Sequence, residues 1–368
     1  MTIICFFMSS PRYEIINNFL MQDFDSRKPL LLLATKNKPA IDISWFEQMK
    51  KRVFSFQKYM SLCALGVFIL LLAACNRIGE KRKRAEGEPL RVLCTTSIAA
   101  DLAGNIAGGR ALVAGLMGAG TDPHLYKASE GDVIRMAQAD IIFYNGLHLE
   151  GRMTDIFEKM SARGIPAVAL SDGVPKERLL ALEGARGVPD PHIWFDVSLW
   201  MLAAQTVRDA LVEHDPPNAL FYRENADKYL KELEALHTYI KTEAEKIPAE
   251  RRALITAHDA FGYFGRAYDF EVMGLQGIST SAEVGARDVR NLAALIVRRR
   301  IPAVFVETSV PSRNIEALQA AVRARGFHVK TGAHLYSDAL GLPNTPQGSY
   351  IGMARHNIDS IVKAFLDE

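Results

Sequence analysis

The sequence predicts an α/β protein of two lobes, each with a parallel sheet flanked by helices, joined by one long helix. Three observations support this. Short apolar runs alternate with helix-like segments from residue 90 onward, the same alternation restarts at residue 248, and residues 218–246 between them contain no Gly or Pro. With 49% hydrophobic residues, the chain has enough apolar material for such cores. We predict an N-terminal lobe over residues 90–216, a linking helix over 217–247 and a C-terminal lobe over 248–368.

The strands are predicted from short apolar runs bounded by turn-forming or polar residues. In the N-terminal lobe these runs are residues 91–97, 111–117, 140–146 and 166–171. In the C-terminal lobe they are residues 253–258, 271–279, 303–309 and 327–337. The segments between them have helical character, including residues 131–139, 150–164, 287–300 and 314–326.

The linking helix is predicted from the spacing of its apolar residues. Leu230, Leu233, Leu236 and Ile240 recur at the spacing of one helix face. Asn218 is placed to cap the start of the helix, and the Ile247-Pro248 pair ends it.

The residues before the first lobe have the pattern of a bacterial export signal. From Met49, a basic stretch leads into an apolar run over residues 60–74, shorter than the roughly 20 residues of a membrane span. The run ends in Leu-Ala-Ala before Cys75, which resembles the lipobox of bacterial lipoproteins and implies a diacylglycerol on that thiol. We predict a signal peptide over residues 49–74 and a lipid-anchored tether over 75–89, with a plain signal or short anchor helix as the alternative. Residues 1–48 are interpreted as an upstream extension from a mis-assigned start, with Met49 as the true start and a real extension as the alternative.

Charge and cysteine content exclude several classes of protein. The formal net charge of +2 gives no reason to expect a nucleic-acid partner. Of the four cysteines, Cys5 and Cys63 precede the predicted cleavage site and Cys75 would carry the lipid. Cys94 then remains as a single thiol, so we predict neither an intramolecular disulfide nor a thiolate metal cluster.

Polar residues follow the predicted strands at four places. His124 and His192 lie in the similar stretches DPHLY (122–126) and DPHIW (190–194), His258 ends the run ALITAH, and Asp338 follows the last run. Parallel sheets bind ligands at the carboxyl ends of their strands, and imidazole and carboxylate groups are good ligands for divalent transition metals. In the two similar stretches, Pro stiffens the turn and the preceding Asp can cap the next helix. Taken singly, a structural His or a capping Asp is the commoner role, but together the four residues could close a tetrahedral site between the lobes.

The chain resembles the solute-binding lipoproteins of zinc and manganese ABC importers, the TroA-like family. The matching stretches occur in family order between residues 90 and 365, and they are DPHLYKASEGDVIRMAQADIIFYNGLHLEG, DPHIWFDV, LITAHDAFGYFGRAY, GISTSAE, VFVETSVPSRNIEAL and LYSDALG. The resemblance implies two lobes tied by a rigid helix, with the metal ion buried between them and bound by His124, His192, His258 and Asp338. It also implies an ABC permease and its cytoplasmic ATPase as partners, a place in the bacterial cell envelope and no catalytic cofactor. We expect a monomer.

Other polar residues are candidates to support the ligands. Glu307 ends a predicted strand and is expected to hydrogen-bond a ligand imidazole or to pair with Arg313. Ser281 and Glu283, in the stretch ISTSAE, are candidates for the same role, with a plain loop as the alternative. His148 is the nearest competitor as a ligand, but the family places no ligand there. The remaining histidines are interpreted as packing or surface residues, namely His214, His237, His328, His334 and His356.

The metal preference and the class of activity follow from the same residues. His258 occupies the position where manganese-binding members carry Glu, and three imidazoles favour zinc. Zinc-specific members often carry a His-rich loop between the first two ligand motifs, whereas residues 172–190 contain no His, so we expect binding of both Zn²⁺ and Mn²⁺. A zinc hydrolase is the alternative, but it would need an open coordination position and a general base, and neither an HExxH pair nor a nucleophile elbow is present. A role as a surface adhesin is considered in addition, but the sequence contains no adhesive motif. Because a helical linker resists wide hinge closure, we expect release by a small lobe shift that separates one ligand pair from the other.

Overall fold

The structure is a computed structural model that describes residues 84, 85, 87–181, 187–281 and 283–366, together with residues 44, 48, 51–56 and 60. The chain divides into two compact units, Met1–Cys75 and Asn76–Glu368, and the fold described below belongs to the second. Met49, the lipobox with Cys75 and nearly all of the apolar run over 60–74 lie outside the described residues. Within the described residues, no helix combines the length and the apolar character needed to cross a bilayer.

The N-terminal lobe is built on a four-stranded parallel sheet. Its strands are β1 (Leu90–Cys94), β2 (Ala111–Gly115), β3 (Ile141–Tyr144) and β4 (Ala167–Ala169), in the spatial order β2-β1-β3-β4. The connecting helices are α1 (Ser97–Ala107), α2 (Glu130–Ala137) and α3 (Thr154–Ala162). Strand β3 carries buried apolar residues in succession, as expected where helices cover both faces of a parallel sheet. All four strands therefore end at one edge of the lobe.

The C-terminal lobe contains two separate two-stranded parallel sheets. Strands β5 (Ala253–His258) and β6 (Glu271–Gln276) form one, and β7 (Ala303–Val304) and β8 (Lys330–Thr331) form the other. The Phe305 N–H, directly after β7, donates to the Ile255 carbonyl of β5 at 2.9 Å, so the two pairs lie side by side. The helices that follow β5, β6 and β7 are α6 (Gly262–Tyr268), α7 (Ala286–Arg299) and α8 (Arg313–Arg323).

Two predicted strands are shorter than expected. The runs over 303–309 and 327–337 contribute only two ladder residues each, followed by an isolated bridge between Glu307 and Leu335. Beyond the ladder the two segments of the chain stay adjacent through single hydrogen bonds, such as the one from the Thr308 N–H to the Leu335 carbonyl at 3.0 Å. The irregular backbone here leads directly to Asp338.

The linking helix, α5 (Ala219–Glu245), has 27 residues and is roughly 40 Å long at 1.5 Å per residue. Leu233, Leu236 and Ile240 are buried on one face, and Leu230 is partly buried. Asn218 is the N-cap residue of this helix, as predicted, but its side chain makes no capping hydrogen bond, and its amide donates to Asp215 at 2.8 Å instead. A short 3₁₀ turn over Pro216–Asn218 leads into the helix.

Two further helices join the lobes. Helices α4 (Val197–His214) and α9 (Tyr350–Leu366) both pack on α5, and α9 also contacts α1. One continuous buried core contains Trp200 of α4, Phe305 after β7 and Tyr350 of α9. The last helix of the predicted C-terminal lobe therefore shares its core with the N-terminal lobe, and the sheets rather than the core mark the division.

Candidate metal centre

Four side chains from the two lobes meet in one buried cluster. A nitrogen or oxygen atom from each of His124, His192, His258 and Asp338 lies within 4.8 Å of the others. The Nε2 atoms of His124 and His192 are 3.2 Å apart, and Asp338 Oδ1 and Oδ2 lie 3.5 Å and 3.3 Å from Nε2 of His192 and of His258. Three imidazole nitrogens and one carboxylate thus lie close together, with two bonding groups from each lobe.

His124 is positioned by the turn that precedes it. Asp122 Oδ1 accepts a hydrogen bond from the His124 backbone N–H at 2.9 Å, across the intervening Pro123. The expectation that Asp122 caps the next helix is therefore wrong. Helix α2 is capped by Ser129, whose hydroxyl accepts from the Asp132 N–H while the Asp132 carboxylate accepts in return.

His192 is held by a carboxylate at both its backbone and its ring. Asp190 Oδ1 accepts from the His192 N–H at 2.9 Å and lies 2.7 Å from Nδ1 of the ring. This contact places a proton on Nδ1 and leaves the Nε2 lone pair for the cluster. Asp190 does not cap helix α4, a role taken by Asp196. The ring contact was not predicted from the sequence, although an Asp two residues before a candidate ligand His was the available signal.

The backbone around His192 is fixed from both lobes. The Tyr263 hydroxyl, on α6, donates to the Asp190 carbonyl at 2.9 Å. The Asn145 amide, after β3, donates to the Pro191 carbonyl at 2.9 Å.

His258 ends strand β5 and contacts Glu307 twice. Glu307 Oε1 accepts from the His258 N–H at 2.9 Å, and Oε2 lies 2.5 Å from Nδ1 of the ring. Glu307 is buried, so the contact is shielded from water. Of the two partners considered for Glu307, the structure shows His258, and no ion pair with Arg313 occurs in the part of the chain that is described.

Asp338 comes from the C-terminal lobe but its loop is fastened to the N-terminal lobe. The Trp194 indole N–H donates to the Ser337 carbonyl at 2.9 Å, and the Leu340 N–H donates to the Ser97 hydroxyl at 2.9 Å. The carboxylate itself accepts from the Ser309 hydroxyl at 3.4 Å.

The electrostatics of the cluster favour a cation. Burial alone would lower the pKa of His258, but Glu307 and Asp338 outweigh it and raise that pKa well above its usual value. Burial would raise the pKa of Asp338, but the neighbouring imidazoles, His258 foremost, hold it well below its usual range. Burial lowers the pKa of His124 to about 3, because Asp338 compensates only in part. The two carboxylates thus stabilise positive charge beside His258, and a bound metal ion would supply that charge in place of a proton.

The remaining candidate residues lie outside the cluster. Ser281 and Glu283 are exposed, and the Ser281 hydroxyl bonds to Ser279 at 2.8 Å rather than to a ligand imidazole. The residue of this loop that approaches the cluster is Thr280, whose hydroxyl donates to Asp122 Oδ2 at 2.6 Å. Thr280 was not predicted from the sequence, because nothing in its local pattern distinguishes it from the flanking serines. His148 is exposed and does not join the four residues.

Comparison with known proteins identifies the class to which this fold and cluster belong. Residues 92–364 match the family model ZnuA, described as zinc-uptake complex component A, periplasmic. The chain therefore belongs to the ZnuA family. The family and the α/β fold class predicted from the sequence are confirmed.

Individual relatives match along nearly their whole length. The chain is 46% identical over 301 residues to the zinc-binding protein TroA of Treponema pallidum (strain Nichols), with 82% of this chain and 96% of that protein covered. It is 43% identical over 308 residues to the manganese-binding lipoprotein MntA of Bacillus subtilis (strain 168), covering 84% and 99%. The solved structure of the periplasmic zinc-binding protein TroA from Treponema pallidum matches with a TM-score of 0.73 at 46% identity, covering 75% of this chain and 99% of that chain.

Proposed function

We propose that this protein captures one divalent transition metal ion, Zn²⁺ or Mn²⁺, and delivers it to an ABC permease for import. The ion is the transported substrate, and His124, His192, His258 and Asp338 are its ligands. The observation that carries the proposal is the cluster of four buried bonding groups, drawn from both lobes and lying within 4.8 Å of one another. Two relatives of high identity, named for zinc and for manganese binding, add support.

Capture fits the site better than catalysis. Four protein ligands complete a tetrahedral shell, whereas catalytic zinc sites keep one position for water. The carboxylate that a hydrolase would need as a general base is Glu307, and both of its oxygens contact His258. Neither a hydrolase nor an adhesin is favoured by a specific observation, so we propose that the protein is not an enzyme.

The ligand set allows both metals. Imidazole nitrogen is a good ligand for zinc, and the carboxylate of Asp338 suits manganese. Divalent affinity at a given site generally rises from manganese towards zinc. The protein therefore binds both ions, and it binds zinc more tightly.

The cellular setting follows from the export signal and the relatives. The lipobox pattern makes Cys75 the lipidated residue, and the Bacillus subtilis relative is named a lipoprotein. The protein is exported, anchored to the membrane by this lipid and active as a monomer. It delivers its ion to a permease that a cytoplasmic ATPase drives.

Metal analysis of residues 76–368, purified without a His tag, tests the site. We expect one equivalent of zinc per chain in the parent protein and less than a tenth of that in His124→Ala and Asp338→Ala after dialysis. His148→Ala is the matched control, because His148 is exposed and outside the cluster, and it should keep the full equivalent. Full occupancy in both cluster variants, measured by plasma mass spectrometry, would refute the assignment.

A further inference from the structure

The four proposed ligands are buried to different degrees. His192 and His258 are 0% exposed and Asp338 is 1% exposed, whereas His124 is 8% exposed. His124 is also preceded by residues 118–120, all of which are exposed. The candidate ligand with the greatest exposure thus follows a run of three exposed residues.

The segments that carry the four proposed ligands also differ in how they are anchored. Hydrogen bonds from Tyr263 and Trp194 to main-chain carbonyls fasten the segments of His192 and Asp338 to elements of the other lobe. His258 is part of strand β5 itself. Segment 118–126, which carries His124, has no regular secondary structure between β2 and α2.

Segment 118–126 is joined to the C-terminal lobe through a chain of three hydrogen bonds. The Gln276 amide, at the end of β6, donates to the Thr280 carbonyl at 2.5 Å. The Thr280 hydroxyl donates to Asp122 Oδ2 at 2.6 Å, and Asp122 Oδ1 accepts from the His124 N–H at 2.9 Å. Strand β6 is thereby connected to the backbone of the first ligand, across the cleft between the lobes.

We infer that the Asp122–Thr280 hydrogen bond is a latch, and that the metal ion enters and leaves by movement of segment 118–126 with His124. This inference rests on the proposed function and deepens it. It differs from the expectation that a lobe shift separates two ligand pairs, because Asp338 is held to the N-terminal lobe through Ser97 and Trp194. With Asp338 braced in this way, the segment of His124, which is joined to the C-terminal lobe through the Thr280 side chain, is the part proposed to move.

A cavity beside the latch provides a route for the ion. It has a volume of about 400 Å³ and is lined by Asp122 and Thr280 together with Leu125, Glu283 and Arg313. Six waters occupy roughly 180 Å³ in the liquid, so a hydrated divalent ion fits this space. Leu125, which follows His124 in the chain, is part of its lining, so opening of the latch would connect the segment of the first ligand to this space.

The rate of zinc release tests the latch. Thr280→Val removes the hydroxyl and keeps the shape of the side chain, and Thr280→Ser keeps the hydroxyl. Loss of one hydrogen bond of about 1 kcal/mol corresponds to a roughly 3- to 10-fold faster release of Zn²⁺ into excess chelator, followed by stopped flow. We expect this acceleration for Thr280→Val alone, with one equivalent of zinc still bound before mixing. Thr238→Val is the matched control, because that exposed hydroxyl donates to the Glu234 carbonyl within α5, away from segment 118–126 in the sequence.

A second variant tests the competing route. Ser97→Ala removes the acceptor that fastens the Asp338 loop, so release by lobe opening would be accelerated by this variant. Release of zinc from Thr280→Val at the parent rate, or faster release from Ser97→Ala than from Thr280→Val, would overturn the latch. Faster release from Thr280→Val that is matched by a lower thermal midpoint of the apoprotein would also overturn it, since a general loss of stability would then be the cause. A parent protein that holds no zinc would instead refute the proposed function.

Discussion

Replacing Glu307 with Gln changes the group that sets the protonation of His258. Oε2 of Glu307 lies 2.5 Å from Nδ1 of that ring, and Oε1 accepts the backbone N–H at 2.9 Å. A Gln amide can still accept from the backbone with its oxygen, but its NH₂ group then faces Nδ1. The ring must give up its Nδ1 proton to accept this contact, which moves the proton to Nε2, the atom proposed to bind the metal.

The expected loss of affinity can be estimated from this contact. Removing a carboxylate that orients a ligand His typically costs 10- to 100-fold in metal affinity. We expect the zinc dissociation constant of Glu307→Gln to rise by that factor, equivalent to roughly 1.4–2.7 kcal/mol. Competition against a chromophoric chelator at fixed pH measures the change directly.

The same substitution at an exposed carboxylate provides the control. Glu283→Gln removes one negative charge from the cavity region, where Glu283 is exposed and does not contact His258. Its dissociation constant should stay within about 2-fold of the parent, because exposed charges are screened. If Glu307→Gln binds zinc as tightly as Glu283→Gln, the Glu307 carboxylate does not fix the His258 ring and the reasoning fails.

Three further outcomes are expected. Because the pKa of His258 is raised well above its usual value, its imidazole is expected to be positively charged in the apoprotein at pH 7. Zinc binding should then release about one proton, which calorimetry in buffers of different ionisation enthalpy measures. Zinc at 100 times its dissociation constant should stabilise the fold by about 2.7 kcal/mol, seen as a higher thermal midpoint than in a chelator, and an unchanged midpoint would contradict binding to the folded state. Leu233→Ala, in the buried face of α5, should lower the free energy of unfolding by roughly 2–5 kcal/mol in urea titrations, whereas Leu220→Ala, at an exposed position of the same helix, should change it by about 0.5 kcal/mol or less.

The local pattern of the sequence predicts much of this fold. Strand β5 occupies the whole predicted run over 253–258, and α5 lies within the predicted linking helix, because long or strongly apolar segments leave few alternatives. The ends of strands also indicate where His124, His192 and His258 would lie. The lengths of strands β7 and β8 were overestimated, because an apolar run indicates burial and does not show where the ladder of hydrogen bonds ends.

Contacts across the cleft could not be predicted in this way. The pairing of Thr280 with Asp122 joins residues 158 positions apart, and the bond from Leu340 to Ser97 spans 243 positions. Neither residue pair has a distinctive local pattern, so only the folded arrangement brings them together. The two Asp residues before His124 and His192 were assigned to helix caps for the same reason, because local capping is the only role that a local pattern can indicate.

The three imidazoles differ in how firmly each is held, and this difference bears on transport. Asp190 lies against Nδ1 of the His192 ring and Glu307 lies against Nδ1 of the His258 ring, so a carboxylate orients each of these rings. Among the described residues, the His124 ring has its hydrogen-bonding contact within the cluster, with His192, and Asp122 holds only its backbone. A binding protein must release its cargo as well as capture it, and release requires one ligand that leaves at lower cost than the others. His124 has the least support at its ring and the greatest exposure, and the Thr280 hydroxyl joins its segment to the C-terminal lobe. It is therefore the proposed ligand through which exchange is expected to begin.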